Sequence, residues 1–108
     1  MKTYKYGEAE FTQKDFRQTK NRKNYYIQYG KLITLAVKYE NNAFAIIAEM
    51  VFDDEGAKFD KFLECFVDGE LTAITEAQKD IENETLLMAL AVEVLTDFFT
   101  VSNNSIQS

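Results

Sequence analysis

An α+β domain is predicted from three features of this sequence: apolar runs flanking Asn41-Asn42, a helical stripe after Gly56, and a long apolar-faced segment toward the C-terminus. The predicted architecture is an antiparallel sheet of three to four strands. A long C-terminal helix covers one face of it, and one or two shorter helices complete the fold. The 108 residues fit one domain, taken as 1–101, followed by a polar tail over 102–108. A chain this short buries only about two-thirds of the surface its unfolded form exposes. Its core therefore depends on bulky rings, and nine Phe and six Tyr supply them.

The elements follow in order. Lys2–Phe11 alternates weakly through Tyr4 and Tyr6 and predicts a short strand. Thr12 is a good N-cap, Asp15 sits three residues on, and Phe11 and Phe16 take the two positions of a hydrophobic staple, so a short helix is expected over 13–20. Residues 19–24 read as a basic connector. Asn24–Tyr29 predicts a strand ending at Gly30. Lys31–Glu40 and Ala43–Phe52 predict a hairpin around Asn41-Asn42, because asparagine tolerates positive φ. That register sets Tyr39, Val37, Leu35 and Ile33 opposite Phe44, Ile46, Ala48 and Met50 on a buried face. Ala36, Ile47, Thr34 and Glu49 fall on a mixed face. Asp53–Gly56 is a turn. Phe59, Phe62, Leu63, Phe66 and Val67 recur at helical spacing, favouring a helix with Gly69 as its stop, although the residues are also strand-prone. Leu71–Ile74 reads as strand or loop. The last helix is expected from 76 to 100 with Thr75 as N-cap. A continuous helix would be about 37 Å long, so a break near Asn83-Glu84-Thr85 is anticipated.

Composition excludes several functions. No histidine is present, which removes the commonest general base, nucleophile partner and metal ligand. One cysteine, Cys65, builds neither a disulfide nor a zinc site, and reads as a packing residue in a reducing compartment. The four glycines never approach a phosphate-binding loop. No apolar run reaches the roughly twenty residues a bilayer requires. No cofactor and no metal are expected, nor an enzyme. The lysine-over-arginine bias and frequent asparagine suggest a low-GC bacterium or its phage, and a cytoplasmic location.

Charge is the most informative remaining signal. Residues 1–40 hold nine Lys/Arg and four Asp/Glu, a net of +5, whereas residues 41–108 hold three Lys and fourteen Asp/Glu, a net of −11. Two candidate surfaces follow. The acidic one comprises Asp53, Asp54, Glu55, Asp60, Glu64, Asp68, Glu70, Asp80 and Glu84. Such a ridge imitates a nucleic-acid backbone in a groove built for phosphates. In size, acidity and missing catalytic residues the chain resembles the small inhibitors that phages and mobile elements deploy against nucleic-acid-handling proteins, anti-CRISPR proteins among them. The basic one comprises Arg17, Lys20, Arg22 and Lys23 leading into Tyr25 and Tyr26, with Tyr29 beyond. Cations interleaved with aromatics suit nucleic-acid contact. The expected partner is a protein, itself a nucleic-acid binder or ribonucleoprotein, with direct nucleic acid or a homodimer as alternatives.

Overall fold

The computed structural model describes residues 2–107, with side chains described over residues 2–100. The chain opens with a hairpin rather than one strand. β1 (Thr3–Tyr6) pairs antiparallel with β2 (Ala9–Gln13), Tyr4 opposite Phe11 and Tyr6 opposite Ala9. The two-residue loop begins at Gly7 with φ +60°, the first loop position, where a type II′ turn wants glycine. Tyr4 and Phe11 point inward and are buried. A third strand, β5 (Val67–Asp68), joins β2 on its other edge and completes a sheet ordered β1-β2-β5.

The expected helix over 13–20, with Thr12 as its cap, does not form. Thr12 and Gln13 stay in β2, because their backbone pairs with Asp68 and Val67. An aspartate turn follows, in which Asp15 Oδ1 accepts from the Arg17 N–H at 3.0 Å. The helix starts later. α1 spans Thr19–Lys38 and absorbs both the basic connector and the expected strands over 24–29 and 31–40. α2 spans Ala43–Val51 and replaces the expected strand over 43–52.

The Asn41-Asn42 hairpin is thus a helix–helix turn. Glu40 and Asn41 take the positive φ values, 52° and 65°. The Asn41 N–H donates to Ala36 O at 2.8 Å and the Glu40 N–H to Val37 O at 3.4 Å, which is the double bond of a Schellman stop. Asn42 then caps α2, its Oδ1 accepting from the Ala45 N–H at 3.2 Å.

A two-residue ladder, β3 (Phe52–Asp53) with β4 (Gly56–Ala57), forms the predicted acidic turn. α3 (Phe59–Glu64) bears out the first part of the helical stripe and buries Phe59, Phe62 and Leu63, whereas Phe66 lies past the helix and Val67 belongs to β5. It stops at Cys65, so Gly69 is not its terminator. Gly69 instead follows β5 with φ +138°, where a Cβ would lie 3.1 Å from Glu10 O. Leu71–Ile74 is neither strand nor loop but leads into α4 (Thr72–Ala77). Thr75 lies inside α4 and caps nothing. The break expected near 83–85 is present: a 3₁₀ turn over Ile81–Asn83 separates α4 from α5 (Glu84–Gln107), which continues through the expected polar tail as far as Gln107.

α5 is the spine. Leu87, Leu90, Ala91, Val94, Leu95 and Phe98 are buried along one face. Ile81, in the 3₁₀ turn before α5, is exposed. α5 packs on α2, on α3 and, through Tyr4, on β1. The Tyr4 hydroxyl donates to Asp97 Oδ2 at 2.8 Å. Burial, and then this carboxylate, push that hydroxyl above the ordinary tyrosine range. Phe98 closes the far end, its ring 5.1 Å from Phe66, 5.3 Å from Phe16 and 5.6 Å from Tyr25. The outcome is an α+β fold with a three-stranded antiparallel sheet under a long C-terminal helix, but richer in helix than expected.

Candidate functional site

α1 carries opposite chemistry on its two faces. Its inner face runs through Tyr25, Gln28, Leu32, Leu35, Ala36 and Tyr39, spaced three and four apart, and Leu32 is fully buried. Its outer stripe runs through Arg22 and Lys23, then Tyr26, Gly30, Ile33 and Val37. Tyr26, Ile33 and Val37 are 68, 44 and 77% exposed. α1 holds five basic residues and no acidic one. Lys38 reaches Glu49 on α2 at 3.0 Å, whereas Lys20, Arg22, Lys23 and Lys31 make no ion pair among the described residues. Arg17, before the helix, folds back on Asp15 at 3.1 Å.

The predicted basic and aromatic residues therefore divide. Lys20, Arg22, Lys23 and Tyr26 are exposed on one helix. Tyr25 turns inward, stacked on Tyr29 at 5.9 Å and packed against Phe16 and Phe98. It is half-buried and works as a core ring.

The acidic residues are mostly engaged locally. Asp68 meets Lys14 at 2.8 Å, Glu55 meets Lys58 at 3.6 Å and Glu64 meets Lys61 at 3.9 Å. Asp53 Oδ1 accepts from the N–H groups of Glu55 and Gly56, and Asp80 Oδ1 from the Glu82 N–H. Glu70 accepts from the Thr72 hydroxyl at 2.9 Å. Asp60 is the most tightly held. Burial pushes its carboxyl up, but the Thr75 hydroxyl at 2.9 Å, the Gln78 side chain and the Lys61 N–H together outweigh burial and hold it below the usual aspartate range. Asp53, Asp54, Asp80, Glu82 and Glu84 have no cation within ion-pair distance among the described residues. Glu49 is lowered by the Tyr39 hydroxyl and then by Lys38. Among the described residues no group of three or more Cys, Asp or Glu is placed to hold a metal ion.

One polar residue sits where no polar residue was expected. Gln28 is 4% exposed, the only polar side chain buried among the described residues. Its Nε2 donates to Asn24 Oδ1 at 3.1 Å, and Asn24 Nδ2 donates to the Cys65 carbonyl at 2.7 Å. Its Oε1 has no partner among the described residues. An unpaired buried acceptor costs about 1–3 kcal/mol. Cys65 lies beside this relay, and burial pushes its thiol up despite the nearby Lys31, which fits the packing role expected for it. A helical reading of 19–38 would have exposed Gln28 as a polar residue in the middle of an apolar stripe.

No family model matches the chain, and neither does any curated protein or solved structure. Among the described residues no helix is long and apolar enough to cross a membrane.

Proposed function

We propose that the protein is a non-enzymatic binding protein that docks a partner protein on the outer stripe of α1. The observation that carries this reading is the alignment of exposed Tyr26, Ile33 and Val37 behind Arg22 and Lys23 on a helix without a single acid. Fully covering an apolar side chain of this size contributes about 1.5–3 kcal/mol, so the apolar stripe supplies affinity. The cations, screened by salt, supply orientation and on-rate. The complementary surface is an apolar ridge with an acidic rim. Nucleic acid fits less well: phosphates gain nothing from Ile33 and Val37, and the chain's net charge of −6 repels a polyanion. A twofold dimer through α1 would set cation against cation.

The test places a benzophenone amino acid at Val37 and, as control, at the exposed Thr96 on α5, in a lysate of a low-GC bacterium. Crosslinking to one protein from position 37 alone, abolished by Ile33→Asp, supports the reading. Equal crosslinking from both positions, or crosslinking only to a second copy, refutes it.

A second reading rests on Asp53, Asp54, Asp80, Glu82 and Glu84, which carry charge that no lysine or arginine offsets among the described residues. It makes the protein an acidic, phage- or mobile-element-borne inhibitor that fills a phosphate-binding groove of a nucleic-acid-handling protein, as anti-CRISPR proteins do. Reversing Asp53 and Asp54 to Lys separates the two: binding through α1 survives it, and binding through the acidic surface does not.

A further inference from the structure

Open grooves of similar size, about 400–450 Å³, indent the surface among the described residues, so volume does not choose among them. What distinguishes one is a lining residue that carries a buried, unpartnered polar atom. The groove between α1, α2 and α3 is lined by Gln28, whose Oε1 is sealed from solvent and unpartnered among the described residues.

The hydrogen-bond relay fixes which atom is free. A carbonyl only accepts, so Asn24 must present its NH₂ to Cys65 O and its Oδ1 to Gln28. Gln28 must answer with Nε2, leaving Oε1 as a pure acceptor. A ligand meeting it must therefore bring a donor. Leu35, Met50 and Phe62 line the same groove and call for an apolar body. Lys31 and Lys61 stand in the lining as well. Lys31 has no ion pair among the described residues, and Lys61 meets only the exposed Glu64, at 3.9 Å. The one carboxylate in the lining, Glu49, is already neutralised by Lys38 at 3.0 Å. The groove thus asks for an anion beside the donor.

We propose that this groove is a binding site for an acylated amino acid: an apolar side chain on Leu35, Met50 and Phe62, its amide N–H on Gln28 Oε1, and its carboxylate between Lys31 and Lys61. Such a group occurs free or as the C-terminal residue of a peptide. Because Oε1 is sealed from solvent, binding on this proposal requires lining side chains to move aside, and the flexible Met50, Lys31 and Lys61 are the ones suited to do so. The bond that folding leaves unmade at Gln28 is made on binding. This site is independent of the outer stripe of α1.

The test titrates the ¹⁵N-labelled full chain with N-acetylphenylalanine. Saturable shifts confined to the parts of α1, α2 and α3 that line the groove are expected. Two control probes dissect the contacts on the unaltered protein: 3-phenylpropanoate lacks the N–H, and N-acetylphenylalanine methyl ester lacks the anion. Each should bind roughly tenfold more weakly, the scale of one buried hydrogen bond or charge contact. Gln28→Met, checked for folding by circular dichroism, should weaken N-acetylphenylalanine to the level of 3-phenylpropanoate and leave 3-phenylpropanoate unchanged. Acetyl-Ala-Ala-Phe distinguishes the sources: tighter binding than N-acetylphenylalanine assigns the site to a peptide C-terminus, and equal binding to the free molecule. No saturable shift with N-acetylphenylalanine at millimolar concentration, or equal affinity for all three small probes, overturns the proposal.

Discussion

Ile47 and Val37 exchange places between a strand pair and a helix pair, so truncating each in turn tests the architecture. In a hairpin closed by Asn41-Asn42, Val37 faces the core and Ile47 lies on the mixed face. In the structure Ile47 is 0% exposed, in the core cluster, and Val37 is 77% exposed on α1. Ile47→Ala removes three buried carbons and leaves a cavity in the core, a loss of about 3–4 kcal/mol. A domain of this length holds roughly 5–16 kcal/mol in total, so the loss is a large share of it. It should lower the melting temperature by roughly 12–25 °C. Val37→Ala gives up little burial and gains helix propensity of about 0.5 kcal/mol, so the net change should lie within about 0.5 kcal/mol of zero. Urea unfolding followed by circular dichroism at 222 nm reads both. With a slope of about 1.5 kcal/mol/M, Ile47→Ala should lower the midpoint by roughly 2 M and Val37→Ala should not move it. A loss above about 1.5 kcal/mol for Val37→Ala, with less than about 1 kcal/mol for Ile47→Ala, would refute the helical hairpin.

Phe98→Ala should cost about 4–5 kcal/mol, the upper end for a buried ring, because Phe66, Phe16 and Tyr25 all lose a partner at 5.1–5.6 Å. The same urea titration measures it. Glu40→Gly should stabilise by about 1 kcal/mol, since Glu40 holds φ 52° at the position after the α1 cap where glycine meets no Cβ penalty. A loss of stability there would show that the Glu40 side chain makes a contact that matters. Asp60→Asn should destabilise at neutral pH by weakening the bonds from Thr75 and Gln78. The folded carboxyl lies below its unfolded value, so its contribution is full above the ordinary aspartate value of about 3.9 and is lost as pH falls through the lower folded value. The gap between wild type and Asp60→Asn should therefore close on acidification. A gap that persists at the lowest pH would show that the carboxylate's charge is not its source.

The candidate sites were only partly legible. Charge asymmetry pointed to Lys20, Arg22, Lys23 and Tyr26, which do stand exposed together. Tyr25, counted beside them, is drawn inward by Phe16 and Phe98, and nothing in its local sequence marks it apart from Tyr26. Ile33 and Val37 escaped notice as surface residues because the strand register buried them. Gln28 falls in the expected strand over 24–29, outside that register, where no helical stripe marks it as inward-facing.

The sequence by itself determined the class of fold, the helix that opens at Phe59, the long C-terminal helix with its break near 83–85, and the missing histidine, cysteine-pair and phosphate-loop chemistry. Those conclusions rest on residue types or on a single unambiguous period. The stretch from 24 to 52 has two valid periods: Leu35 and Tyr39 belong to an alternating set with Ile33 and Val37, and to a helical set with Leu32 and Ala36. Short apolar runs satisfy either pattern, and β-branched residues with a paired asparagine tilt the local balance toward strands. Tertiary packing decided it. A helical α2 buries Ile46, Ile47 and Val51 together in the core, while a strand would divide them between two faces and leave part of that apolar area in water.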